Sequence, residues 1–379
     1  MTLIKWPGGK SKEFKHIENI IPKKFDRYIE PFFGGGAIYF HLKPDVALIN
    51  DISSNLMNFY RLIQENNELF KNYLYMYNNS WVNLMNYIEG NYGTLLEIYY
   101  NYRTANINYE VLVSELHNFI EENSGEMINI LENQIFLNFD SFFDELKRTT
   151  VDKFKRTYQN EIKNGVLLSE DDLKDNILTG FMSGFYMHFR NIYNDIQLKR
   201  NNADLLPIEA KIANFYFIRE YCYGSMFRYN KYGEFNIPYG GISYNKKNFK
   251  AKIDKLFSDD ILNLFKRTRI YNEDFEDFIT NLYLNENDFI FLDPPYDTDF
   301  SDYEGRTFDE NDQRRLANVL YNIPAKFILI IKNTDFIFNL YNNRENINIL
   351  TFDKQYTYNV RSRNERKTKH LIITNIDLE

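Results

Sequence analysis

Phe289-Ile290-Phe291-Leu292-Asp293-Pro294-Pro295-Tyr296 is the stretch from which the rest of the chain is read. Its first four residues are apolar without alternation, the pattern of a strand buried on both faces of a parallel sheet. Two prolines follow. Neither has an N–H to donate, so the ladder stops and the chain must leave the sheet. Asp293 is therefore expected at the carboxyl end of a strand, where open α/β sheets bind their ligands. The result is a rigid turn with a carboxylate before it and an aromatic ring after it.

Two readings of that turn stand side by side. One is a strand-ending turn with an Asx-type bond. The other is a site that activates an exocyclic amine. The amine of adenine is a poor nucleophile because its lone pair is delocalised into the ring. A carboxylate and a carbonyl that accept its two N–H bonds pull the nitrogen toward tetrahedral geometry and free that pair. Asp293 supplies the first acceptor and Pro294, which keeps its C=O, the second. Tyr296 is then placed to stack on a base flipped out of a helix. The companions of this motif decide between the readings.

With 379 residues, the chain is long enough for a large domain or two and a sizeable core. No run approaches the ~18 apolar residues of a membrane span, and Met1 to Lys10 lacks the apolar centre of a signal peptide. A single cysteine, Cys222, excludes an intramolecular disulfide framework and suits a reducing cytoplasm. No His/Cys cluster suggests zinc, and no metal is expected. The net charge of −8 speaks against a nucleic-acid partner at face value, but what a nucleic acid meets is a local basic face. Tyr, Phe, Asn and Ile are abundant, which an AT-rich genome explains as readily as function does.

Residues 1–60 read as β/α. Trp6-Pro7-Gly8-Gly9-Lys10 is a compact turn, and Lys12 to Ile21 has helical spacing stopped by Pro22. A strand from Arg27 through Glu30-Pro31-Phe32 then enters the turn Gly34-Gly35-Gly36 and a helix from Ala37 to Leu42. A second strand, Val46 to Asn50, ends at Asp51, and Asp51-Ile52-Ser53-Ser54 caps a helix to Gln64. Strand, glycine turn, helix, strand and acidic residue form the nucleotide-binding half of a doubly wound fold. The carboxylate after the second strand suits ribose hydroxyls. A glycine triplet alone is also an ordinary tight turn; the flanking strands and Asp51 favour the binding reading.

From about 65 to 205 the pattern becomes helical, with polar-aromatic segments at Glu68–Tyr77, Tyr109–Asn123, Met127–Leu137, Asp152–Lys163 and Asp171–Asn194. Proline is absent between Pro44 and Pro207. Met226 to Gly241 differs again: short alternating strands around a turn at Lys231–Gly233 predict a hairpin or an extended loop. Arg228, Tyr229, Asn230 and Lys231 are the mixture used to read DNA, with Arg for guanine, Asn for adenine and Lys for phosphate. The competing reading is a solvated hairpin. The β/α pattern resumes with Arg269-Ile270-Tyr271, Asp274-Phe275, the strand to Asp293, a polar loop 297–307, a helix from Thr307 to about Asn322 and a strand at Lys326–Ile331. The tail predicts strands at Gln355–Val360 and His370–Thr374 around a basic turn containing Arg361 and Arg363, either a phosphate contact or a solvated turn.

In this order, these stretches resemble the DNA adenine methylase (Dam-like, D12 class) family, the α group of S-adenosylmethionine-dependent amino-methyltransferases. The resemblance rests on Lys5 to Lys10, Glu30 to Gly36, Asn50-Asp51-Ile52, Arg228 to Gly240 and Asp293-Pro294-Pro295-Tyr296, and covers roughly 1–64, 185–245 and 269–375. It implies an α/β fold: a Rossmann-like class I methyltransferase sheet with helices on both faces. An inserted, mainly helical target-recognition domain with a β-hairpin near 226–241 is implied too. The catalytic domain would comprise 1–64 and 250–379, and the recognition domain 65–249.

The implied reaction is methyl transfer from S-adenosylmethionine, without metal, to the N6 amine of a flipped adenine in double-stranded DNA. Asp293, Pro294, Pro295 and Tyr296 form the implied catalytic turn. Trp6, Gly8, Gly9, Lys10, Glu30, Phe32, Gly34, Gly35, Gly36, Asp51, Ile52, Asp274, Phe275 and Asp293 line the implied cofactor site. Arg190, Arg228, Tyr229, Asn230, Lys231, Asn236, Pro238, Arg361 and Arg363 contact DNA on this reading. A cytoplasmic, nucleoid-associated monomer, serving restriction-modification beside a cognate endonuclease, completes the expectation. Gly224 stands where GATC-type members carry Asn, which argues against a GATC target, and the long helical stretch suits an asymmetric site. Methylation of cytosine N4, of adenine in RNA, and a silent DNA binder on the same fold are the alternatives.

Overall fold

A computed structural model describes residues 2–7, 13–295, 308–342, 344–355 and 367–378. The chain divides into two compact units, Met1–Asn66 with Leu256–Glu379, and Asn67–Lys255.

The first unit is built on a mixed sheet. Its strands are β1 (Tyr28–Glu30), β2 (Ala47–Asn50), β3 (Thr268–Tyr271), β4 (Phe289–Leu292), β5 (Lys326–Lys332), β6 (Asn348–Gln355) and β7 (Lys367–Thr374). Among the described residues they form one sheet in the order β3-β2-β1-β4-β5-β7-β6. The first five run parallel, and β7 pairs antiparallel with both β5 and β6. Alternation along the strands feeds a core on each face. Ile29, Leu48, Ile290, Leu292 and Leu329 pack with Phe278, Leu316 and Ile337 from the helices of one side. Tyr28 and Phe289 turn the other way, where Tyr28 meets Tyr39 and Tyr39 meets Phe265.

The apolar run before Asp293 is a strand buried throughout, as its unbroken hydrophobicity predicts. The helix Ala37–Leu42 starts at the glycine turn, and Ser53 caps the next one, Ser54–Gln64, by accepting from Leu56 N. One expectation shifts: among the described residues the first helix occupies Phe14–Ile17. Of the strand expected at Gln355–Val360 only Gln355 lies among the described residues, as the end of the strand Asn348–Gln355. There Phe352 opposes His370, and Ile349 opposes Ile373. Residues 356–366, and with them Arg361 and Arg363, fall outside the described residues.

The second unit is helical, with long members Glu68–Gly90, Phe139–Asn164, Glu170–Gln197 and Ile208–Tyr221. Asn67, Asn138 and Ser169 cap the first three by accepting from Phe70 N, Ser141 N and Asp172 N. The two longest helices approach closely at Gly184, where a Cβ would stand 2.8 Å from Leu146 Cα. The aromatic residues are its core: Trp81 packs on Tyr221 at 4.3 Å and on Phe185 at 5.4 Å, and Phe217 on Tyr77 at 4.9 Å. The expected helix Met127–Leu137 breaks into Ser124–Ile130 and a single turn at Asn133–Ile135. Leu131 is extended there, and Glu132 N donates to Ser80 Oγ in place of a helical carbonyl. Ile208–Tyr221, packed after Pro207, was not expected. Among the described residues no helix is long and apolar enough to cross a membrane.

Where β1 and β4 begin, Arg27 binds Asp288 through two contacts, Nε to Oδ1 at 2.7 Å and Nη2 to Oδ2 at 2.5 Å. Asp288 is fully buried while Arg27 is about a quarter exposed. Removing the cation leaves a buried carboxylate without its partner. Arg27→Ala is therefore expected to cost about 3 kcal/mol, read as a lower urea midpoint by far-UV circular dichroism.

Candidate functional site

Five parallel strands end on one edge of the sheet, and four carboxylates gather there. Glu30 closes β1, Asp51 follows β2, Asp274 follows β3 by three residues and Asp293 follows β4. The edge is tied together by Asn50, which is 1% exposed. Its Nδ2 donates to Pro31 O and Glu273 O, both at 3.1 Å, and its Oδ1 accepts from Glu273 N at 2.9 Å. One amide thus joins the loops after β1 and β3. Nothing in the residue pattern flagged Asn50 beyond its place before Asp51.

The glycine turn is held from both sides. Gly34 N donates to Asp51 Oδ2 at 2.9 Å, Ser53 N to Asp51 Oδ1 at 3.0 Å, and Tyr60 Oη to Gly34 O at 3.0 Å. Gly34 and Gly36 have φ of +50° and +63°, which glycine adopts without strain. A Cβ on Gly34 would stand 2.9 Å from Trp6 Cδ1, and one on Gly36 would overlap Phe33 at 2.5 Å. Gly35 lies between them, buried against the Trp6 and Thr2 side chains. Asp51 is partly exposed beside exposed Ile52. Across the edge, Phe32, Phe275 and Phe308 form an aromatic group with centroids 5.4–5.6 Å apart. Arg315 binds Asp274 and Glu276 at 2.6 Å and Asp312 at 2.8 Å, with its guanidinium over the Phe275 ring. Gly8, Gly9, Lys10 and Tyr296 fall outside the described residues.

Pro294 is buried, and Asp293 and Pro295 are partly buried. Gln313, fully buried on the helix Glu310–Tyr321, donates through Nε2 to Pro295 O at 3.2 Å. Among the described residues its Oε1 has no hydrogen-bond partner. That helix starts with a capping box between Asp309 and Asp312, which fixes where Gln313 emerges. Sequence reading missed Gln313 and Arg315; an amide and a guanidinium on an otherwise amphipathic helix gave no signal.

Residues 222–241 of the helical unit form a looped-back segment. Its legs run antiparallel through the bridges Tyr229↔Phe235 and Cys222↔Tyr239, with main-chain bonds from Asn230 N to Glu234 O at 2.9 Å, Asn236 N to Arg228 O at 3.1 Å and Tyr223 N to Pro238 O at 2.9 Å. The expected turn at Lys231–Gly233 is present, although the legs do not form continuous strands. Side chains add to these bonds. Asn230 Oδ1 accepts from Tyr232 N and Glu234 N, and Asn230 Nδ2 donates to Glu234 Oε2. Arg228 is exposed and bound to Asn236, Nε to Oδ1 at 2.6 Å and Nη2 to O at 3.2 Å. Lys231 is exposed near the Tyr232 ring, and Pro238 is exposed while its carbonyl accepts from Tyr223 N. Tyr229 is partly exposed against Phe235. Arg190 lies partly buried, with Nη1 3.4 Å from Ile237 O.

Glu30 is 2% exposed, and Tyr28 Oη donates to its Oε2 at 2.8 Å. Burial raises its carboxyl well above the usual range; the Tyr28 hydrogen bond opposes this, and Asp293 and Asp51 add to it. A carboxyl that keeps its proton on folding stabilises fully below its ordinary pKa. That contribution is lost as pH rises toward the folded value, because the unfolded chain releases the proton first. Glu30→Gln is thus expected to match wild type near pH 4. It should gain on wild type by up to about 1.4 kcal/mol per pH unit above that, measured as urea midpoints from pH 4 to 8.

A sequence model of the D12 class of N6 adenine-specific DNA methyltransferases matches residues 6–164 and 96–358, which together span most of the chain. Among curated relatives, type II methyltransferase M.CviBI of Paramecium bursaria Chlorella virus NC1A is 23% identical over 98% of both chains. Type II methyltransferase M.MjaIII of Methanocaldococcus jannaschii is 25% identical over 89% of this chain and 86% of its own. The Retron Ec67 DNA adenine methylase of Escherichia coli is 32% identical over 38% of this chain and 48% of its own. The chain belongs to the D12 class of N6 adenine-specific DNA methyltransferases.

Proposed function

We propose that Asp293 and Pro294 activate the N6 amine of an adenine flipped out of double-stranded DNA, within a class I, Rossmann-like methyltransferase sheet. The carrying observation is the Asp-Pro-Pro turn at the carboxyl end of β4, on the edge shared with Glu30 and Asp51. Asp293 accepts one N–H of the amine and the Pro294 carbonyl the other. The nitrogen lone pair is thereby released toward the methyl donor, and Tyr296 stacks on the base. Pro295 holds the turn rigid. Asp293 need not be a strong base, because the amine becomes acidic once methylated.

The family implies S-adenosylmethionine as methyl donor, and the residues at the edge fit it. The turn lacks Cβ atoms where Trp6 and Phe33 crowd it, a partly exposed carboxylate stands after β2, and an aromatic group lines the side near Asp274. When bound, this cofactor supplies a sulfonium-activated methyl with a neutral thioether leaving group. Asp51 takes the ribose hydroxyls; Phe275 and Asp274 flank the adenine ring. Trp6 and Gly34 to Gly36 hold the methionine part, with Glu30, Phe32, Ile52, Gly8, Gly9 and Lys10 around it. Asp293 touches the donor side as well as the base.

The helical unit, on this reading, recognises the target. Arg228, Tyr229, Asn230, Lys231, Asn236 and Pro238 lie on its looped-back segment, and Arg361 and Arg363 add phosphate contacts from the other unit. The type II designation of two relatives supports a role in restriction-modification beside a cognate endonuclease, with the chain acting as a cytoplasmic monomer.

Single-molecule sequencing of DNA from cells expressing the chain, beside an Asp293→Ala control, tests the reading. Methylated adenines confined to one motif, absent from the control, are expected. Purified Asp293→Ala should lose about 10³-fold in kcat, the order of one charged transition-state contact, while binding S-adenosylmethionine normally; full activity in this variant would sink the assignment. Gln313→Leu removes the donor that holds Pro295 O. It should lower kcat about tenfold, the worth of one hydrogen bond of ~1.4 kcal/mol, without altering cofactor affinity by isothermal titration calorimetry.

A further inference from the structure

One face of the helix Glu170–Gln197 holds the segment that carries Arg228. Tyr186, Arg190 and Asn194 are spaced i, i+4, i+8 and so share that face. Tyr186 Oη donates to Ile237 O at 2.9 Å, and Arg190 Nη1 to the same carbonyl at 3.4 Å. Asn194 takes both backbone groups of Phe235: its Oδ1 accepts from Phe235 N at 2.8 Å, and its Nδ2 donates to Phe235 O at 3.2 Å. This is the two-point pairing of a neighbouring strand, made by one side-chain amide. Tyr186 and Asn194 are buried. Phe235 and Ile237 are 1% and 0% exposed, with Phe235 packed on Tyr193 at 5.7 Å.

The consequence lies in the residue between them. In extended chain, successive side chains face opposite ways, so pinning Phe235 and Ile237 to the helix sends Asn236 to the other side. There Asn236 grips Arg228 through both its side-chain and main-chain oxygens. A slip of one residue would exchange Asn236 for an apolar side chain and release the guanidinium. The other leg is rooted separately. Arg219, 1% exposed, donates to Met226 O at 2.9 Å and lies 3.8 Å over the Phe227 ring.

We propose that Tyr186, Arg190 and Asn194 are specificity-positioning residues: they set the register of residues 235–237 and thereby the aim of Arg228 at a base edge. Arg190 acts through the loop it supports. The inference rests on the reading of 226–241 as the DNA-reading segment.

The test uses the full-length protein on unmethylated random-sequence DNA with S-adenosylmethionine, scored by single-molecule sequencing. The variants are Tyr186→Phe, which deletes one hydroxyl, Asn194→Ala, and Arg228→Ala as reference. Tyr186→Phe and Asn194→Ala should raise methylation at near-cognate relative to cognate sites by about tenfold, the lower end of one lost base contact. Thermal midpoint and cofactor affinity should stay close to wild type in Tyr186→Phe. If Arg228→Ala relaxes the motif while both helix variants keep the wild-type ratio, the inference is overturned and the loop reading survives. If Arg228→Ala itself leaves the motif intact, the loop reading fails and the inference falls with it. A uniform loss of rate at all sites in the helix variants, ratio preserved, also overturns it. Should Asn194→Ala fail to fold, Tyr186→Phe decides.

Discussion

The parallel pairing of β1 with β4, in the register Tyr28↔Phe289, is the constraint on which the sheet unit depends. It is clamped at the start by Arg27 and Asp288, so both strands enter the sheet level with each other. They therefore deliver Glu30 and Asp293 to the same edge. β2, in register on the other side of β1, brings Asp51 to that edge too. Parallel strands can do this because all their carboxyl ends point one way. The cost is a concentration of acidic groups. It is met by burying Glu30, which raises its carboxyl well above the usual range, by engaging Asp51 with two backbone N–H groups, and by neutralising Asp274 with Arg315.

Side-chain amides extend or replace main-chain pairing at several points. Asn50 joins the loops after β1 and β3; Asn194 pairs with Phe235 as a strand would; Asn230 closes the tip of the segment it belongs to. Gln313 does the same for the carbonyl of Pro295. An amide offers a donor and an acceptor with the geometry of a peptide group and without charge, so it satisfies buried main-chain atoms cheaply. The asparagine-rich composition, open to a purely genomic explanation from counts alone, is put to structural use at these positions. The aromatic excess likewise resolves into the core of the helical unit around Trp81, Phe185, Phe217 and Tyr221.

Much of the sheet unit was legible because its signals are local. An unbroken apolar run ending in two prolines yields Phe289–Leu292 and its stop; a glycine turn between a strand and a helix yields Ala37–Leu42; Ser53 before Ser54–Gln64 is an N-cap by residue type. Long-range pairing was less legible. The strand Asn348–Gln355 was not expected ahead of Gln355, because it is made by pairing Phe352 with His370 and Ile349 with Ile373, and its own residues do not mark it. In the segment 226–241 the turn at Lys231–Gly233 was legible from the alternation around it. The side chains that add to its main-chain bonds were not, because Asn194, Tyr186 and Arg190 lie at least 32 residues before Met226 in the sequence.

The sequence by itself determined the α/β character of the sheet unit, the positions of its acidic strand ends and the motif order that marks the family. Each of these is written in short runs whose periodicity, prolines and glycines act on their own neighbourhood. Only the tertiary structure decided which polar side chains hold those runs in place. Asn50, Gln313, Arg315 and the Tyr186–Asn194 face owe their roles to partners distant in sequence, and a buried amide or guanidinium has no local signature until the backbone atoms it must satisfy have been brought to it.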